Sequence, residues 1–153
     1  MKIFDCFMYF DEEIVLDIRL NMLNPVVDYF VIVESKFTHK GDKRNLKFDI
    51  NKFTEFKDKI IYLIFDEEPG DIESLLDKDI EDEKTRKLIL NAARRENSQR
   101  NFIMKGLEYA NNDDLILISD VDEIPNLEEI NFENIKNQII LFKQDMFYYK
   151  LNL

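Results

Sequence analysis

Four short apolar runs constrain this chain more than anything else in it: Ile3 to Phe10, Asp28 to Glu34, Ile60 to Phe65 and Leu115 to Ser119. Each has strand length, is rich in β-branched or aromatic residues, and lacks the alternation of a half-exposed strand. That pattern predicts strands covered on both faces. Helical patterns lie between them. Glu12 to Leu23 predicts a helix with Ile14, Val15, Ile18 and Met22 on its packed face, stopped by Asn24-Pro25. Asn51 to Lys59 predicts a short helix. Glu83 to Ala110 predicts a long helix or a pair, with Ile103, Leu107 and Ala110 on one stripe and Asn111-Asn112-Asp113 as punctuation. Ser35 to Lys47, polar, basic and containing Gly41, reads as a loop, and Gln138 to Tyr149 is strand-like again. Strands alternating with helices imply crossover units. The expected fold is therefore α/β: a mostly parallel sheet with helices on both faces. Ligands of such sheets bind beyond the carboxyl ends of the strands. The segments after Phe10, Glu34, Phe65 and Ser119 share that rim.

Composition narrows the chemistry. With 153 residues, only 3 Gly and 3 Pro, and 13 Phe, the chain closes one domain, and it shows no repeat or low-complexity segment. Cys6 is its one cysteine, which excludes an intramolecular disulfide and cysteine-built metal sites. His39 is its one histidine, so a two-histidine zinc motif is excluded as well. Any metal here is held mainly by oxygen, which points to magnesium or manganese. No apolar run approaches the roughly 20 residues that span a bilayer, and acidic residues at Asp11 to Glu13 come before a signal-peptide core could form. The expected location is cytoplasmic.

The net charge of -11 is local in origin. Between Asp66 and Glu83 ten carboxylates face one base, Lys78; between Lys84 and Lys105 seven bases face one acid, Glu96. The acidic run reads as a solvated loop and helix surface.

Leu115-Ile116-Leu117-Ile118-Ser119-Asp120-Val121-Asp122-Glu123-Ile124-Pro125 is the strongest local signal, a buried strand running into three carboxylates. Acids at the mouth of an apolar strand are costly unless solvated, paired or bound to metal. Asp120 and Asp122 are spaced to share a divalent cation once the strand ends; the other reading is a polar turn. Arg94-Arg95-Glu96-Asn97-Ser98-Gln99-Arg100-Asn101 lies on the helix that feeds this strand. Its bases either reach the rim and neutralise a pyrophosphate beside the metal, or form a solvated face that answers the preceding acids. Glu34 closes the second strand at the same rim, where it accepts from a ribose or base or faces water. His39 reads as a surface histidine, Cys6 as a small core residue. The aromatic end, Phe142 to Tyr149, reads as packing.

The same residues carry a resemblance. Asp5 to Glu13, Leu16-Asp17-Ile18-Arg19-Leu20-Asn21, Asp28 to Glu34 with Thr38-His39-Lys40-Gly41, Arg95 to Asn101, and Ser119 to Pro125 together resemble the family-17 glycosyltransferases. This is the family of β-1,4-mannosyl-glycoprotein β-1,4-N-acetylglucosaminyltransferases. Five blocks in order are far more specific than any one. The resemblance implies a GT-A type, Rossmann-like nucleotide-sugar domain over 1–153, a UDP-N-acetylglucosamine donor, Mn2+ or Mg2+ held through Asp-x-Asp, a glycan acceptor and inversion at the anomeric carbon. Carried over by position, Asp120 and Asp122 hold metal and diphosphate, while Glu34, Arg95, Arg100 and Asn101 line the donor site. Nothing in the pattern implies nucleic acid as a partner.

Members of that family continue well past this motif, so the chain is expected to be an amino-terminal portion that binds donor but transfers sugar poorly. An inverting transferase needs a base for the acceptor hydroxyl. That base is expected beyond Leu153. Among the late carboxylates, Glu128, Glu129 and Glu133 lie in a connecting segment, which leaves Asp145 as the weak candidate within the chain. The rivals are a haloacid-dehalogenase-like phosphohydrolase, which also places Asp-x-Asp after an aliphatic strand but usually near the amino terminus, and a non-catalytic nucleotide-sugar-binding module.

Overall fold

The computed structural model describes residues 1–127, 130–132 and 139–144. Four strands form one sheet: β1 (Ile3–Tyr9), β2 (Tyr29–Ser35), β3 (Ile60–Phe65) and β4 (Leu115–Ile118), in the order β3-β2-β1-β4. All pairings are parallel. Helix α1 (Glu13–Leu23) makes the β1–β2 crossover and α2 (Glu81–Asn101), continuing as a 3-10 helix over Phe102–Leu107, the β3–β4 crossover; the β2–β3 crossover has no α-helix. This is the α/β arrangement with a parallel sheet that the strand pattern predicts, and it is consistent with the Rossmann-like fold the resemblance implies.

Each face of the sheet has its own core. On one, Ile3, Phe7 and Tyr9 of β1 and Phe30 and Ile32 of β2 pack against Leu16, Leu20 and Leu23 of α1, with Phe53 and Phe56 alongside. On the other, Phe4, Cys6, Val31, Val33 and Phe65 pack against Ile103, with Phe102, Leu107 and Ala110 at the margin. The 3-10 helix lies so close to the sheet that a Cβ on Gly106 would stand 2.3 Å from a Val31 methyl. Only glycine permits that approach. Cys6 is fully buried, and burial pushes its thiol well above the ordinary range.

The sequence places α1 correctly but turns it the wrong way. Ile14, Ile18 and Met22, expected on the packed face, point to solvent, whereas Leu16, Arg19, Leu20 and Leu23 are buried. The helix carries two apolar stripes; the one with Leu16, Leu20 and Leu23 packs, bringing Arg19 to Asp5, and of the expected stripe only Val15 packs partly against the core. Two further expectations change in detail. The short helix expected at Asn51 to Lys59 is a pair of 3-10 turns, Ile50–Lys52 and Thr54–Phe56. Residues 139–144 hold no strand; the rest of the strand expected at Gln138 to Tyr149 lies outside the described residues.

Helix α2 is polar nearly all round, burying only Asn91 and Gln99. The acidic segment before it folds back along its basic residues. Glu68 pairs with Arg95, Asp71 and Glu73 with Arg94, Glu73 also with Arg86, and Asp79 with Lys87. Asn91 closes the clasp by exchanging two hydrogen bonds with the Glu73 backbone, at 2.9 and 2.8 Å. The run of carboxylates is mostly exposed, as expected, and four of its members, Glu68, Asp71, Glu73 and Asp79, also pair with the helix. No helix among the described residues is long and apolar enough to cross a membrane.

Candidate donor and metal site

A cleft of about 520 Å3 opens beyond the carboxyl ends of β1, β2 and β4. Parallel pairing of β1 with β4 in the register Cys6 to Ile118 brings the loop after β4 beside the loop after β1. Tyr9, Phe10 and Glu12 line the cleft from one side, Ser35, Phe37, His39 and Arg44 from another, and Asp120 and Asp122 from a third. Glu96 and Gln99 of α2 close it. Gln99 is fixed there by donating to the Val33 carbonyl at 3.0 Å.

The loop that carries the two aspartates is tightly tied. The Asp120 amide donates to the Glu123 carboxylate at 2.9 Å, and the Glu123 amide donates back to the Asp120 carbonyl at 3.0 Å. From the α1 face, buried Arg19 donates to the carbonyls of Asp120, Val121 and Glu123 at 2.7, 3.1 and 3.2 Å. From the α2 side, Arg100 donates to the Asp120 carboxylate at 3.0 Å and to Glu96 at 3.2 Å. Burial works against the Arg100 charge, but Asp120 and Glu96 outweigh it and hold the guanidinium pKa above its ordinary value. The Asp122 carboxylate makes no hydrogen bond or ion pair with any described residue and lines the open cleft.

Among the described residues no three carboxylate, cysteine or histidine side chains converge as a ready metal cage. The donor set is two hard carboxylates at an open cleft, one of them shared with a guanidinium. Such a set suits an ion that keeps several waters and completes its shell with substrate phosphate, as magnesium does. It does not suit a metal held by protein alone.

The other expected site residues divide. Arg95 donates to Glu68 and, at 3.1 Å, to the carbonyl of His39, so it steadies the loop whose imidazole side lines the cleft. Its guanidinium lies against Gly41, whose φ of +98° and lack of a Cβ make room for it. Asn101 is exposed and lines a separate hollow with Phe65, Glu67 and Ser98. Glu34 is fully buried beneath the cleft. It accepts from the amides of Lys47 and Phe48 at 2.7 and 3.0 Å and from the Tyr62 hydroxyl at 2.8 Å, and it pairs with Arg44 at 3.0 Å. Burial first, and then Glu34, raise the pKa of Tyr62 above the ordinary phenol value, and the same causes push Tyr9 up to about 12. Asp145 lies outside the described residues.

Sequence reasoning missed Arg44 and the pair Asp5–Arg19. Arg44 lies 4.0 Å over the Phe10 ring, donates to the Ser35 carbonyl at 2.8 Å and also to the Phe10 carbonyl, tying together the ends of β1 and β2. A basic residue in a basic loop gives no sign of this.

The chain is similar to the human and rat β-1,4-mannosyl-glycoprotein 4-β-N-acetylglucosaminyltransferases, 31% identical to each over 121 residues. The matched stretch is 76% of this chain and 20% of each relative, so the chain spans about a fifth of the length of the curated relatives it matches. No solved structure gives a significant match. The model of glycosyltransferase family 17 matches residues 1–148, which takes in the sheet, the cleft and the Asp-x-Asp loop together: the chain belongs to that family.

Proposed function

We propose that this chain carries the donor site of an N-acetylglucosaminyltransferase with a GT-A type fold. It binds UDP-N-acetylglucosamine together with Mn2+ or Mg2+, for transfer of the sugar to a glycan acceptor with inversion. Family membership and the names of the similar human and rat proteins support the class of reaction. The single observation that carries the donor site is the Arg100–Asp120 hydrogen bond at the cleft, with Asp122 open beside it. Before the donor arrives, the guanidinium and the carboxylate satisfy one another. With donor bound, Asp120 and Asp122 would hold the cation, and Arg100 would donate to the diphosphate. The bound cation supplies charge stabilisation for the leaving diphosphate. Arg100 reinforces it with a charge-assisted bond that strengthens as negative charge grows on the leaving group. His39 and Phe10 offer an imidazole and a ring at the cleft wall for the rest of the donor. The family assignment sets the phosphohydrolase alternative aside.

Titration calorimetry with UDP, with and without Mn2+, tests this reading. UDP is expected to bind more tightly with the metal, and Asp122→Ala to remove the metal-dependent part. Equal UDP affinity in both conditions would overturn it, and a chain that binds neither UDP nor metal would be a structural module.

A further inference from the structure

Arg19 and Asp5 are both fully buried, between α1 and the sheet. An ion pair in that position is expensive to desolvate, and apolar residues of similar volume often serve stability better. Its value lies in what it holds. The pair itself is bidentate, Nε to one Asp5 oxygen at 2.8 Å and an Nη to the other at 2.7 Å, with the guanidinium 4.5 Å from the Phe7 ring centre. Every other donor goes to the loop after β4: the Ser119 hydroxyl at 2.7 Å and the carbonyls of Asp120, Val121 and Glu123. Loop carbonyls at a surface ordinarily turn to water. Three of them drawn inward onto one planar cation fix the peptide planes from 120 to 123, and with them the directions of the Asp120 and Asp122 side chains, which point outward to the cleft. Because Asp5 neutralises Arg19, the effect on the aspartates is one of geometry, not of field.

We propose that Arg19, oriented by Asp5, is a positioning residue for the Asp120–Asp122 pair, locking the loop in the one conformation that presents both carboxylates to a cation and a diphosphate. This rests on the donor-site reading for what the carboxylates bind, and goes beyond it in naming what aims them.

The test is the double variant Asp5→Leu with Arg19→Met, which keeps the volume buried and leaves no lone charge. Its melting temperature is measured with two readouts that core packing alone does not move. One is amide hydrogen exchange in the ligand-free chain at 119–124, where the amides of Asp120, Glu123 and Ile124 are bonded in the loop. The other is Mn2+ affinity in the presence of UDP, read by electron paramagnetic resonance, with uridine affinity as control. The expected result is a folded chain whose loop exchanges about tenfold faster or more, as loss of a charge-assisted bond allows. Its Mn2+ affinity in the presence of UDP is expected to fall about 10- to 100-fold, the usual effect of removing the partner that orients a ligand, with uridine affinity unchanged. A folded variant with unchanged exchange, or with faster exchange but unchanged Mn2+ affinity, overturns the proposal. Should the double variant not fold, Arg19→Lys, which keeps the charge beside Asp5 but lacks the planar fork, carries the same readouts. If the unmodified chain binds UDP no better with Mn2+, the donor-site reading fails instead, and exchange alone decides whether Arg19 orders the loop.

Discussion

Glu34→Gln separates two roles that a strand-end acid can have, contact with the nucleoside or anchorage of the loop beneath it. The substitution keeps shape and removes charge, and its effect follows from the four groups around the carboxylate. One oxygen faces the Lys47 amide and Arg44, the other the Phe48 amide and the Tyr62 hydroxyl. An amide nitrogen on the first side would confront two groups that can only donate. On the second side the Tyr62 hydroxyl can turn and accept, leaving the Phe48 N–H as the one obligate donor without a partner. The glutamine therefore settles in the second orientation. An unsatisfied buried N–H costs about 1 to 3 kcal/mol. Arg44, whose side chain is 9% exposed, also loses its charge partner. Together these reach the range measured for breaking a buried pair, about 3 to 5 kcal/mol. In a domain of this size that lowers Tm by about 6 to 20 °C. The assay is thermal and urea unfolding of both proteins, alongside uridine titration of the folded variant. Anchorage predicts a large stability loss and a uridine affinity that changes little once the variant is folded. Wild-type stability together with lost uridine binding would refute the reasoning and restore Glu34 to the ligand.

Arg100→Ala should weaken UDP about 10- to 100-fold more than uridine, the effect of one charge-assisted hydrogen bond to phosphate; equal losses measured by calorimetry would place Arg100 outside the diphosphate site. Its effect on stability should be small, because the Arg100–Asp120 pair is 32% and 54% exposed and such pairs contribute about 0 to 1 kcal/mol. Acid should loosen the clasp on α2. Hydrogen bonds from Arg86 and Arg94 lower the Glu73 pKa below 4.5, and the bond from Lys87 lowers that of Asp79 below 3.8. Depressed carboxylates contribute stability that is complete above those ordinary values and lost as pH falls through the lowered ones. Proteolysis within 66–79 should therefore stay slow at neutral pH and accelerate below about pH 4; a rate independent of pH, after correction for the protease, would contradict the pairing.

Much of the fold was legible because apolar runs of strand length have few alternatives. Ile60 to Phe65 matches β3 to the residue, and the runs that form β1, β2 and β4 match to within one. The face of α1 was not legible, because Ile14-Ile18-Met22 and Leu16-Leu20-Leu23 are both acceptable apolar stripes, and the choice rests on packing against the sheet, which the helix sequence does not display. The site shows the same boundary. Asp120 and Asp122 were visible as acids at a strand mouth, and Arg100 as a base on the helix feeding that strand. Arg95 was visible too, but its engagement with Glu68 depends on where the acidic run folds back. Arg19 was invisible as a loop anchor because the carbonyls it binds lie 101 to 104 positions away, and a charged residue on a helix ordinarily reads as surface. Long-range pairing of buried charge leaves no local periodicity to detect.

The strand order has a consequence for how the cleft comes into being. β1 emerges first, but both of its neighbours come later, β2 from residue 29 and β4 from residue 115. Pairing of Ile3 with Leu115 closes a loop of more than a hundred residues, an entropic cost that nearer contacts must first offset. β1, α1, β2 and β3 all lie within residues 3–65, and so does the Asp5–Arg19 pair. The aspartate loop joins them only when β4 docks. The cleft thus depends on the longest-range pairing in the sheet, that of β1 with β4, while the Asp5–Arg19 pair that grips its loop is local to the first twenty residues.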